Sequence, residues 1–193
     1  MKKTEKILAA ISIMGILLNL FLVPYGDTLS ILSMSCLAVL YMYLSFALFN
    51  DIPLQKILKR ESHKDISKQT KIGTNLIGMI LALITIGILF KLQDWPNAST
   101  LLNIGFCGLI LSAIISFIKV RQSNPKLHYT LLTRLATFSI IGFIFILTPK
   151  ENLLEFKYRN HPEYVEAVKK AWADPSNQDL WKKVNEESLK IHK

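Results

Sequence analysis

The chain has 193 residues, 51% of them hydrophobic, and a formal net charge of +9 at pH 7. That leaves too little polar sequence for a large soluble domain, and it points to one helical membrane bundle with a short polar tail. The basic excess does not read as a nucleic-acid surface, because the lysines and arginines sit in the gaps between apolar runs.

Five such runs follow one another, Ile7–Val23, Leu29–Phe49, Ile72–Phe90, Leu101–Ile118 and Leu131–Leu147, each 17 to 21 residues long. At a rise of about 1.5 Å per residue, each matches the roughly 30 Å hydrocarbon core of a bilayer. Their apolar residues are continuous and not striped, which separates spans from amphipathic core helices. The expectation is an all-α, polytopic bundle of five transmembrane helices over residues 1–148. A polar helical tail over 149–193 follows it, and the lipid bilayer is the main partner.

The first run has a basic start and an apolar centre, as a signal peptide does. It is longer than a usual signal core and ends in Leu-Val-Pro-Tyr without a small-x-small cleavage pattern, so it reads as a retained span. Pro24-Tyr25-Gly26-Asp27 then predicts a tight turn and an antiparallel hairpin with the second run. In that second run Tyr41, Met42 and Tyr43 suit a partner helix or the interface. The segment Asn50–Lys71 has two open readings. It is a solvated loop, or a short surface helix with Ile52, Leu54, Ile57 and Leu58 against the membrane.

The third and fourth runs form a second hairpin through Lys91–Ala98. Gly105, Gly108, Ser112 and Ser116 place small residues along the fourth run, where another helix can approach closely. Gly78 and Ala82 of the third run offer a matching face. The partner is another element of the same chain or a second subunit. In the fifth run Arg134 lies about one turn in, and its side chain is expected to snorkel back to the interface.

The basic residues alternate between gaps. Lys2, Lys3 and Lys6 precede the first run, Lys56, Lys59, Arg60, Lys64, Lys68 and Lys71 lie between the second and third, and Lys119, Arg121 and Lys126 between the fourth and fifth. The other two gaps hold Lys91 alone. By the positive-inside rule the N-terminus is cytoplasmic and the C-terminus periplasmic, in a bacterial inner membrane. In the tail, His161-Pro162-Glu163 predicts a helix start, and Val165, Val168 and Trp172 share a face. Asp174-Pro175-Ser176-Asn177 breaks that helix, and Leu180, Trp181, Val184 and Ile191 mark a second one. Such a hairpin must dock on the bundle rim or on a protein partner through residues 149–193.

No Asp or Glu lies within the five runs, and His63, His128, His161 and His192 lie outside them without ligand spacing. Cys36 and Cys107 lie within runs and read as small apolar residues. No catalytic residue, cofactor or metal is implied. Asn19, Asn75 and Asn103 read as interhelical hydrogen-bonding groups or as a polar path for a solute. An odd number of runs resists a duplicated design, and neither internal symmetry nor a buried charge is evident.

Gly87–Gly105 reads Gly-Ile-Leu-Phe-Lys-Leu-Gln-Asp-Trp-Pro-Asn-Ala-Ser-Thr-Leu-Leu-Asn-Ile-Gly. With Gly87, Leu89, Phe90, Lys91, Trp95, Pro96, Ala98, Leu102 and Gly105 in register, this segment resembles the transmembrane hairpin of the gliding-motility motor subunit of Bacteroidota. The resemblance covers the third and fourth runs and implies a hairpin that turns on the periplasmic side. That family carries a membrane-embedded glutamate a few residues past the glycine matching Gly105. Here the place is apolar, around Leu109, which argues against a proton-driven motor. Phe90 and Trp95 suit the membrane boundary. Lys91 can offset the negative end of its own helix, and Pro96 can start the next. The interface and anchor candidates are therefore Phe90, Lys91, Trp95, Pro96, Gly105, Gly108, Ser112 and Arg134. The function expected is a non-enzymatic scaffold or subunit of a membrane assembly, with a small-solute permease or a membrane immunity protein as the alternatives.

Overall fold

The computed structural model describes residues 1–57, 66–120 and 125–191. Among them the chain is all-α, with α1 Lys2–Leu20, α2 Gly26–Phe49, α3 Lys68–Leu92, α4 Ala98–Val120, α5 Pro125–Leu147, α6 Lys150–Lys157, α7 Pro162–Ala173 and α8 Gln178–Ile191. The basic residues Lys59, Arg60, Lys64 and Arg121, together with His63, His192 and Leu58, lie outside the described residues. A 3₁₀ turn at Leu54–Lys56 stands where a surface helix was one of two readings, and Ile52 of that reading is buried.

Among the described residues four helices, α2 to α5, are long and apolar enough to cross a membrane. That makes the chain a multi-pass membrane protein, and it corrects the expectation of five spans. The helix begins at Lys2 and stops at Leu20, so Lys2, Lys3, Glu5 and Lys6 occupy its first turns and Phe21–Val23 fall outside it. Only Ile7–Leu20 remains as continuous apolar helix, about 21 Å, which is short of a bilayer core. Even so, α1 lies antiparallel along α2, and Ile7, Ile13, Met14 and Leu17 point outward as exposed apolar groups.

Consecutive helices pack side by side, and α3 sits centrally, touching α1, α2, α4 and α5. The core runs along α2 and α3 through Leu37, Tyr41, Leu48, Leu81, Ile84 and Leu92, and is closed by Leu102 and Leu109 of α4 and Leu131 and Leu135 of α5. Gly78 was expected to face α4. It faces α2 instead, where an added Cβ would stand 2.1 Å from Ser45 Cβ and 2.4 Å from the Tyr41 carbonyl oxygen.

The two hairpin turns are the same structure used twice. In the first, Leu22 and Tyr25 take left-handed φ values of 52° and 64°; in the second, Asp94 and Asn97 take 54° and 63°. Val23 N–H donates to the Leu18 carbonyl in one, and Trp95 N–H donates to the Phe90 carbonyl in the other, both at 2.9 Å. A proline follows in each, at Pro24 and Pro96, and the next helix starts two residues later. This is a helix stop by a left-handed residue with proline just beyond it. The sequences agree at a constant offset of 72, with Gly15/Gly87, Ile16/Ile88, Leu17/Leu89, Leu20/Leu92, Pro24/Pro96, Thr28/Thr100 and Leu29/Leu101 identical. Packing agrees as well. Gly15 meets the backbone of Leu29 and Ser30, and Gly87 meets that of Leu101 and Leu102. So α1–α2 and α3–α4 share one turn design over residues 15–29 and 87–101, a local internal repeat where none was expected.

The tail helices start and break where the sequence predicted, with α7 beginning at Pro162 after His161 and α8 beginning after Pro175. A third helix, α6, precedes them. It carries Leu154, which forms a small core with Ala167, Val168 and Ala171 of α7 and Val184 of α8.

The two glycine environments give a matched test. Gly78→Ala should destabilise the bundle by about 1–3 kcal/mol, because no neighbour can yield at a backbone contact. Gly73→Ala, with nothing within 4 Å, should stabilise α3 by about 0.5–1 kcal/mol. Thermal unfolding of both variants in one detergent checks the pair.

Candidate functional site

The described part of the bundle buries one ion pair between its helices, and it joins three of them at the end where α1 begins. Arg134 Nε and Nη2 donate to Oε1 and Oε2 of Glu5, and Tyr41 Oη donates to Oε1 at 2.9 Å. Arg134 Nη1 also donates to the Thr130 carbonyl at 3.1 Å, one turn back along α5. The Phe49 ring lies 5.4 Å from the guanidinium carbon. The Phe138 ring closes edge-on against Tyr41. The pair is largely dehydrated, with side chains 16% and 8% exposed for Arg134 and Glu5.

Two sequence readings are corrected here. Helix α5 begins at Pro125, so Arg134 lies about 13 Å along it while still one turn into the apolar run that starts at Leu131. Its guanidinium leans toward the helix start as expected, but it ends on Glu5 and not in water. His128, read as lying outside the spans, is buried in the opening turns of α5. Sequence reasoning missed Glu5 because it precedes the first apolar run. Its isolation as the one acid among Lys2, Lys3 and Lys6 was the available signal.

At the opposite end a second set of contacts ties the helix ends together. Lys91 is buried, and its ammonium donates to the Phe145 carbonyl near the end of α5. It was expected to offset the C-terminus of its own helix; it offsets that of a neighbour. Lys157 of α6 takes the role left open, donating to the Leu92 carbonyl at the end of α3 at 3.2 Å. Burial lowers the Lys157 pKa below the usual lysine value, an effect that Asp94 and Asp27 oppose. Gln93 and Asn19 both donate to Ser30 Oγ, at 3.1 and 3.4 Å, which joins the two hairpins.

The remaining candidates divide by role. Phe90 and Trp95 meet edge to face, with centroids 5.0 Å apart, and Trp95 is 42% exposed at the turn. Pro96 lies exposed between Trp95 and the left-handed Asn97. An added Cβ on Gly105 would stand 3.1 Å from the Ile84 backbone nitrogen, and one on Gly108 would stand 3.0 Å from the Ile80 side chain. Ser112 and Ser116 are buried. The small-residue face of α4 is thus occupied by its own chain. Asn19 is buried, whereas Asn75 and Asn103 are exposed on the outer surface of the bundle, so the three do not line one path. Cys36 and Cys107 are free thiols on outward faces. Among the described residues no three of His, Cys, Asp and Glu group as metal ligands. Leu109, at the place of the motor family's glutamate, is fully buried.

These features define a multi-pass helical membrane protein whose buried charges are matched internally. Comparison of the chain with protein-family models, with curated proteins and with solved structures gives no match.

Two results should follow from the site. Arg134→Leu leaves Glu5 buried without a counter-charge and should cost about 3–5 kcal/mol, whereas Glu5→Leu/Arg134→Leu should regain most of that loss. Denaturation midpoints of the two variants in detergent decide it. Trp95→Ala removes the edge-to-face contact with Phe90 and should lower stability by about 0.5–1.5 kcal/mol beyond the lost area. A double-mutant cycle with Phe90→Ala isolates that coupling.

Proposed function

We propose that this chain is a non-enzymatic scaffold or subunit of a bacterial inner-membrane assembly, and that it presents its C-terminal helices to a protein partner outside the cytoplasm. The observation that carries this reading is the disposal of its charge. Glu5 and Arg134 neutralise one another, and Lys91 and Lys157 are spent on helix-end carbonyls. Among the described residues, the ionised groups buried in the bundle core all have partners. Outside the bundle, by contrast, α8 keeps Trp181 and Leu189 exposed. The resemblance of α3–α4 to a motor-subunit hairpin supports the same reading as a structural module, without the carboxylate that drives a motor.

Orientation follows from the ends of the helices. Lys2, Lys3, Lys6, Lys56, Lys68, Lys71, Lys119 and Lys126 all belong to the end where α1, α3 and α5 begin. That end is cytoplasmic by the positive-inside rule, and α6 to α8 are then periplasmic.

The hairpin repeat and the buried ion pair are features that a small permease would also show. Against that reading, the two hairpins close on one another at Gly78 and Ser45, and the three asparagines do not converge. Solute flux in vesicles reconstituted with the full chain, abolished by Glu5→Gln, would favour the permease over the scaffold.

The orientation is directly testable. In a Cys36→Ala/Cys107→Ala background, Lys183→Cys should react with an impermeant maleimide in intact spheroplasts. Lys56→Cys should react only after lysis, and the reverse order would overturn the proposed sidedness.

A further inference from the structure

Arg159 follows α6 and carries a guanidinium with no carboxylate against it among the described residues. Its carbon lies 5.3 Å from the Phe21 ring centroid and 5.5 Å from that of Phe156. The two rings meet edge to face, 6.2 Å apart. Phe21 caps the end of α1 and Phe156 lies on α6, and they remain 53% and 48% exposed. The acids nearest to Arg159 in sequence are engaged elsewhere, Glu155 by Lys169 and Glu163 by Lys190.

Two exposed aromatic rings at the end of a membrane hairpin suit the water–lipid boundary, where amphipathic and aromatic groups concentrate. They are continuous with the outward apolar face of α1, through Leu17 and Met14. The rings lie beside the guanidinium, whose planar fork of N–H donors meets no carboxylate among the described residues. That fork matches the two non-bridging oxygens of a phosphodiester, and its uncompensated positive charge favours a lipid of net negative charge over a zwitterionic one. Buried Lys157, anchored on the Leu92 carbonyl, fixes α6 across the bundle end and so sets the height of Phe156 and Arg159.

We infer that Phe21, Phe156 and Arg159 form a binding site for an anionic phospholipid of the leaflet on the α6 side, with Arg159 on the headgroup phosphate and the two rings against the upper acyl chains. This rests on the membrane reading above and adds a ligand to it.

The test uses the full chain in a neutral detergent, titrated separately with phosphatidylglycerol, phosphatidylcholine and inorganic phosphate while the unfolding midpoint is followed. Phosphatidylglycerol should raise the midpoint saturably. Arg159→Gln should weaken that response about fivefold, the effect of one basic residue at an anionic surface. Phe21→Leu/Phe156→Leu, which keeps the charge, should weaken it as well. An unchanged response in Arg159→Gln would overturn the inference. So would an equal response to phosphatidylcholine, or one to inorganic phosphate that matches the lipid. Should the untreated protein partition into the aqueous phase, the membrane reading itself would fail. Loss of the lipid response alone, in protein that still requires detergent, sinks only this site.

Discussion

A bilayer core offers no water to a polar group, so every charge and every backbone amide carried into it must find a partner inside the protein. The pairing of Glu5 with Arg134 is the plainest consequence here, and much of the bundle is arranged around it. It joins α1 to α5 across 129 positions of chain, and it brings Tyr41 of α2 into the same contact. Without Glu5, the largely buried guanidinium of Arg134 would have no counter-charge. Without Arg134, α1 would carry an uncompensated buried carboxylate in its first turns. Each of the two makes the other's position tolerable.

The opposite end solves the same problem with lysines. Helices that end near one another in low dielectric present their last carbonyls as a concentration of negative potential. Lys91 answers this at α5, and Lys157 answers it at α3. The second contact has a further effect, because it seats α6 across the end of the bundle. The small core of α6, α7 and α8 is then built on Leu154, so the tail is tied to the membrane helices through α6. A pair of amphipathic helices that could bury little alone is in this way given a platform.

The repeated hairpin explains why the architecture is regular despite an odd number of long helices. Gly15 and Gly87 let each first helix approach the start of its second, and a left-handed residue before Pro24 or Pro96 stops the chain at the same point. Two such units pack side by side through Gly78 and Ser45. α5 then lies across the second unit and reaches back to the first at Glu5. Small residues matter at each crossing because lipid supplies no hydrophobic force between helices, and close packing must supply the attraction instead.

What the sequence determined by itself was the solvent. Long apolar runs at Leu29–Phe49, Ile72–Phe90, Leu101–Ile118 and Leu131–Leu147 each became a helix of spanning length, and the breaks at Pro24, Pro96 and Pro175 were visible because proline and left-handed residues act locally. The exposed place of Trp95 at the hairpin turn and the close approach at Gly105 were legible for the same reason. The tertiary structure decided everything that depends on which helix stands beside which. It turned Gly78 toward α2, sent Lys91 to a neighbour's carbonyl, and set Glu5 against Arg134 across 129 positions of chain. Helical periodicity shows which face of a helix is polar or small, but not the partner that face will meet. In a bundle nearly uniform in hydrophobicity, that choice is made by a few charges and a few missing side chains.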